Sequence, residues 1–262
     1  MPETTASAAP DGAAALFAAM LTMRPEALAE TLASDPPRAA LLAQAAAVAG
    51  LAEGQVRLGR MLLEGQGLAQ DRSAAVAWFE RAAAQDCVAA WNMLGRCHEN
   101  GWGVERDLGE AARWYAAAAQ AGDAWAQYNL GHLHLNGEGV ARDAERAVAL
   151  YRAAAAQGHS RAMNLLGRCC EQGWGGPVDP GEAVRWYRCS AEGGYFRGEF
   201  NLASVLMASG QVEAARLWLA RALEHAPPAS RVRMAAAAQH WGRPADAPLR
   251  QRRLNFVGRK GT

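Results

Sequence analysis

Apolar and small residues in this chain fall on a fixed beat. Leu58-Gly59, Leu94-Gly95, Leu130-Gly131 and Leu166-Gly167 are each 36 residues apart. Residues 88–122 show one unit. Val88 to Asn100 carries apolar residues at helical spacing. Gly101-Trp102-Gly103 ends that helix, and Asp107 is placed to cap a second one. The second helix carries Ala111, Trp114-Tyr115, Ala118 and Ala119 and closes near Gly122. A period of this length predicts stacked helix pairs rather than one globular core. Function is then expected where the repeats differ.

The markers recur in phase. Break glycines stand at Gly65/Gly67, Gly101/Gly103, Gly137/Gly139 and Gly173/Gly175, and cap aspartates at Asp35, Asp71, Asp107, Asp143 and Asp179. Second-helix anchors are Trp78-Phe79, Trp114-Tyr115, Leu150-Tyr151 and Trp186-Tyr187. Small residues precede each Leu by four, at Gly54, Ala90, Ala126, Ala162 and Gly198, which predicts close helix approach there. The expected organisation is N-terminal capping helices over 1–34 and a repeat array over 35–223 with four regular repeats. A closing helix over 224–241 and a basic, disordered tail over 242–262 complete it. Helix is expected from Ala13 to Leu32. In the last unit Trp218 lies 16 residues after Leu202, whereas Trp78 lies 20 after Leu58, so its inter-helix loop has lost four residues. Pro227-Pro228 is expected to stop the array, with a further helix from Ser230 to Trp241.

This pattern resembles the Sel1-like repeat family over roughly residues 35 to 223. Ala126, Leu130-Gly131, Gly137-Glu138-Gly139-Val140, Asp143, Ala147 and Tyr151 match its signature in register. The related tetratricopeptide pattern appears as Trp91-Asn92-Met93-Leu94-Gly95-Arg96-Cys97-His98, with His in place of Tyr. The resemblance implies an all-α fold, a right-handed superhelical solenoid of antiparallel helix pairs. It also implies an adaptor or scaffold role, with the first helices lining a concave groove.

Helix geometry points to the same face. Asn92 precedes Leu94 by two residues, about 200° around the helix, and Arg96 shares the face of Asn92. Reading these slots across repeats, with Trp125 one turn earlier, assembles a strip of Arg60, Asn92, Arg96, Trp125, Tyr128, His132, Asn164 and Arg168. The expectation is an extended-peptide site. The asparagines would hydrogen-bond peptide backbone, the arginines would hold acidic side chains or a C-terminal carboxylate, and Trp125 and Tyr128 would anchor. The competing reading is an inert solvated face, with Arg96/Glu99 and Arg168/Glu171 as i,i+3 pairs.

Net charge is +1, so no global field draws the chain to nucleic acid or membrane. Arginine carries nearly all the positive charge, Lys260 being the only lysine. Neither a signal peptide nor a spanning segment is expected, so a cytoplasmic location follows, with the five cysteines reduced. The disulfide-bearing secreted branch of the Sel1-like family has a cysteine regularity that this chain lacks. Cys97 and Cys169 share a repeat slot without converging ligands, so no metal and no cofactor are expected. Gly-x-Gly is followed by a cap aspartate and reads as punctuation, not as a phosphate loop. Trp102 and Trp174 are either exposed knobs or folded back over the helix pair. His134 is expected to pack between helices. No convergent titratable groups suggest an enzyme. The partner is therefore expected to be a protein or extended peptide. Two alternatives stay open: a regulatory subunit of an enzyme, and a nucleic-acid contact through Arg250, Arg252, Arg253, Arg259 and Lys260 in the tail.

Overall fold

The structure is a computed structural model and describes residues 16, 18–239 and 241. Residues 242–262, including the basic tail, and most of residues 1–17 lie outside the described residues. Among the described residues thirteen helices are bounded and no strand occurs. In chain order they begin with α1 (Pro25–Ser34), α2 (Pro36–Val48), α3 (Ala52–Glu64) and α4 (Arg72–Ala83). Next come α5 (Val88–Asn100), α6 (Leu108–Gln120), α7 (Ala124–Asn136), α8 (Ala144–Ala156) and α9 (Ser160–Gln172). The last four are α10 (Pro180–Glu192), α11 (Phe196–Ala208), α12 (Val212–His225) and α13 (Pro228–Ala238). The chain forms two compact units, Met1–Ala183 and Val184–Thr262, which divide within α10.

In the first unit each pair packs internally, α3 on α4, α5 on α6 and α7 on α8, and each second helix packs on the next first helix. Local chemistry fixes where helices start. All five cap aspartates accept from backbone N–H groups, Asp35 from Arg38, Asp71 from Ala74, Asp107 from Gly109 and Glu110, Asp143 from Arg146 and Asp179 from Glu182. Each such cap satisfies a first-turn N–H that has no intrahelical partner. First helices end in a left-handed residue, as at Gly101 with φ 69°. Gly103, two residues on, is held against the backbone of Arg72 in the preceding second helix, where a Cβ would collide with the carbonyl. The double glycine therefore ends one helix and docks one repeat on another.

The aromatic anchors set the spacing inside a pair. Phe79, Tyr115 and Tyr151 are fully buried, and each lies on the bare Cα of the Leu-Gly glycine. A Cβ on Gly95 would sit 2.5 Å from the Tyr115 ring. Burying such a ring contributes about 1.5–3 kcal/mol. The surrounding core is built largely of alanine, including Ala75, Ala82, Ala111, Ala118, Ala147 and Ala154, all wholly buried.

Polar staples join successive repeats. Gln55 Nε2 donates to the Ala47 carbonyl (3.4 Å), Trp91 Nε1 to Ala83 (3.3 Å) and Gln127 Nε2 to Ala119 (3.3 Å). These carbonyls belong to the last turns of second helices, where they also accept from the turn N–H groups of Gly50, Asp86 and Gly122. Gln85 and Gln157 then donate to Gln55 and Gln127, at 2.9 and 3.0 Å.

In the second unit the slot of Gln55 and Gln127 holds Glu199, which is wholly buried. Its carboxylate meets His225 Nδ1 at 3.0 Å and Arg221 Nε at 3.4 Å. Three residues, 209–211, join α11 to α12, where seven, 65–71, join α3 to α4, so the expected four-residue loss is seen. Two expectations need correction. Helix over Ala13 to Leu32 is interrupted at residues 22–24 and resumes at Pro25. Pro228 opens α13 rather than only ending the array, since its fixed φ and missing N–H suit a first helical position.

Gly95→Ala is expected to lower stability by about 2 kcal/mol or more, because the ring must move. Gly122→Ala meets nothing within 4 Å, though its φ is +93°, and is expected to cost only about 1 kcal/mol. Urea midpoints check the order, and equal losses would contradict the ring contact as the tighter constraint.

Candidate functional site

Helices α3, α5, α7 and α9, all in the first unit, carry the strip. The structure grades its members by depth. Arg60 is exposed and Trp125 is 46% exposed, while Arg96, Tyr128, His132 and Arg168 are half-buried. The asparagines differ from the expected open position. Asn92 and Asn164 are 8% and 4% exposed. Asn129 of α7 donates to Asn92 Oδ1 at 3.4 Å, so Asn92 links neighbouring first helices. The 200° argument placed them off their own pair's core, but for Asn92 the next first helix reaches that face through Asn129.

Two stations match 72 residues apart. Arg96 lies 5.3 Å above the Trp102 ring, and Arg168 lies 5.0 Å above Trp174. Both tryptophans are half-buried, and Trp102 packs against the core of its repeat. They are therefore folded back as arginine platforms and are not knobs. Such contacts hold a guanidinium in place at about 0.5–1 kcal/mol. Glu99 accepts from Tyr115 Oη at 2.8 Å, which ties it to the second helix as well as to the helix surface.

Between these stations α7 presents an aromatic cluster. Tyr128 and His132 stack in parallel at 6.3 Å, and Trp125 stands edge-on to Tyr128 at 6.3 Å. Three further residues join this cluster. His159, the residue before α9, lies 4.5 Å from Trp125 and 5.0 Å from Tyr128. Arg161 lies 5.0 Å over Trp125, and Tyr151 rests 6.3 Å from Tyr128. His159 Nδ1 caps α9 by accepting from the Ala162 N–H at 3.2 Å. Burial, then the Arg161 guanidinium, holds its imidazole below its ordinary value of 6.5.

The remaining motifs form no site of their own. All five cysteines are free thiols. Burial pushes Cys97 up to about 11 and Cys169 up to about 12, so both stay protonated and inert at neutral pH. Among the described residues no His, Cys, Asp or Glu group converges on a metal position. His134 Nδ1 lies 3.4 Å from the Ala141 carbonyl in the loop after its helix. A shallow open cleft of about 560 Å³ beside α6 is lined by Asp107, Glu110, Arg113, His134 and Arg146 and shares no residue with the strip. No helix among the described residues is long and apolar enough to cross a membrane.

Comparison with known proteins agrees with this architecture. The Sel1 repeat family matches residues 52–87, 89–123, 126–159 and 160–195. A Sel1 repeat protein from Oxalobacter formigenes is 28% identical, with a TM-score of 0.70 over 82% of this chain and 88% of that one. A protective antigen of uropathogenic Escherichia coli strains, displaying an SLR fold, is 26% identical with a TM-score of 0.66. That match covers 81% of this chain but only 46% of the antigen's. A Sel1 repeat protein from Klebsiella pneumoniae shares the fold at 22% identity and a TM-score of 0.52, over 74% of this chain and 97% of that one. No curated protein matches the chain.

The lowered His159 value has a signed consequence. Between its folded value and 6.5 the unfolded chain binds the extra proton, so stability is present above 6.5 and falls on acidification. Urea midpoints from pH 7 to 5 are expected to fall faster for the native protein than for His159→Asn, which keeps a capping acceptor. Parallel slopes would show that His159 is not held neutral by the fold.

Proposed function

The chain belongs to the Sel1 repeat family, and from that premise we propose that it is a non-catalytic adaptor binding an extended segment of a partner protein along the strip of α3, α5, α7 and α9. Sel1 repeat proteins generally mediate protein–protein interaction. One observation carries the finer reading. Identical Arg–Trp stations at Arg96/Trp102 and Arg168/Trp174 flank an aromatic cluster topped by the exposed Trp125. Arginine also stacks on tryptophan along second helices, as Arg81 does on Trp78 at 4.5 Å, so what supports the strip is the recurrence of the stack on either side of the aromatic cluster. Held guanidiniums suit carboxylates, so the segment is acidic. Arg60, Arg96, Arg168, Trp125, Tyr128 and His132 provide the contacts. Buried Asn92 acts chiefly by fixing the neighbouring first helix through Asn129, and for it and the buried Asn164 any bond to peptide backbone is secondary. Binding of about micromolar strength is expected, near −8 kcal/mol. The free thiols support a reducing, cytoplasmic setting.

The test compares two variants of the full chain in affinity purification with mass spectrometry. One combines Arg60→Glu, Arg96→Glu, Arg168→Glu and Trp125→Ala. The control places Arg81→Glu and Arg113→Glu on exposed second-helix positions. The strip variant is expected to lose its partners at least about tenfold with helicity unchanged, while the control keeps them. Equal recovery from both would overturn the assignment.

A further inference from the structure

The slot of Arg96 recurs once per repeat and changes chemistry along the strip. It holds Arg60, Arg96, His132 and Arg168 on α3, α5, α7 and α9. The break residue six positions later changes with it, as Gln66, Trp102, Glu138 and Trp174. In the second and fourth repeats the arginine stands over its tryptophan, at 5.3 and 5.0 Å. In the third, His132 stacks on Tyr128 and the exposed Glu138 fills the platform slot. Arg161 reaches over from α9 to Trp125 at 5.0 Å, so that cation also comes from the fourth repeat. A partner carboxylate therefore meets arginine in the second and fourth repeats, and ring faces lie between. The carboxylates on α5 and α9, Glu99 and Glu171, hold the slot of the buried Leu63 and Leu135, and Glu99 accepts from Tyr115 Oη at 2.8 Å. The arginines thus set the sign of the open face.

The step between stations fixes the conformation that can use them. First helices are direct neighbours. Asn129 of α7 donates to Asn92 of α5, and Trp125 of α7 meets His159 at the start of α9. Packed helices stand about 8–10 Å apart, so the Arg96 and Arg168 slots are about 16–20 Å apart along the strip. A polyproline II segment has three residues per turn and rises about 3.1 Å per residue, so one turn of about 9 Å matches one repeat. Its residues i, i+3 and i+6 share one edge and meet three successive repeats. A β-strand also spans the outer stations in about six residues, but its alternation turns residue i+3 away from the cluster. Proline has the φ of this conformation, and aromatic faces are the surfaces that dock it.

We propose that α5, α7 and α9 form a site for a polyproline II segment with acidic residues at i and i+6 and proline at i+3. The carboxylates lie on Arg96 and Arg168, and the proline lies on Trp125, Tyr128 and His132. This deepens the adaptor reading and rests on it. Arg60, exposed and without a tryptophan platform, extends the same register beyond Arg96 to a further acidic residue.

The probe is a set of acetylated, amidated peptide mixtures with two glutamates three to eight positions apart, proline or glycine between them and the other positions randomised. Binding to the full chain is read by fluorescence anisotropy. The i,i+6 mixture with proline at i+3 is expected to bind about tenfold tighter than the other spacings. It is expected to bind about threefold tighter than its glycine counterpart, which has more freedom to lose. Arg96→Gln and Arg168→Gln are each expected to erase the spacing preference with helicity unchanged. A preference for six that survives both variants would overturn the placement. Equal binding at every spacing, or a different best spacing, would overturn the register and leave the adaptor reading standing. Absence of binding below millimolar strength by every mixture would also overturn the register. The adaptor reading then fails with it only if the strip variant keeps its partners in the affinity purification.

Discussion

The first unit hangs on an aromatic ring lying on a bare Cα. At Gly95 and Tyr115 the ring sits where any side chain would be, and the same contact recurs at Gly59/Phe79 and Gly131/Tyr151. It draws the two helices of a pair together, so alanine suffices to fill the rest of the core. It also fixes where the ring ends. The Tyr115 hydroxyl emerges at Glu99, one turn beyond the glycine and beside Arg96. The packing device thereby places a phenol at the edge of the strip, and the residue sixteen positions earlier decides whether that phenol is satisfied.

Depth along the strip follows from neighbours as much as from the helix itself. First helices stand beside one another as well as on their own partners. A residue directed away from the pair can still be covered, as Asn92 and Asn164 are. Longer side chains escape that fate by stacking outward, as Arg96 does on Trp102 and Arg161 on Trp125. The outcome is a face whose cations are held on aromatic platforms, which lowers the entropy lost when they meet a carboxylate.

Much of this was legible in the chain, because backbone demands recur wherever the backbone does. Asp107 must cap, Gly101 must turn left-handed and Gly103 must touch the preceding repeat, so each recurs at 36 residues. Contacts between repeats were less legible. The Gln55 and Gln127 staples occupy a slot that holds Trp91 in one repeat and Glu199 in another, and only the partners explain the exchange. His159 was overlooked because its slot, just before the helix, holds Leu51, Cys87, Asp123 and Tyr195 elsewhere and shows no pattern.

The central claim is that partners meet the strip rather than the second-helix faces, and indole resonances report on it site by site. With 15N-labelled tryptophan and a bound partner segment, the signals of Trp102, Trp125 and Trp174 are expected to shift or broaden. Those of Trp78 and Trp114, on second helices, should stay in place. Movement of Trp78 and Trp114 with Trp102, Trp125 and Trp174 unperturbed would contradict the account.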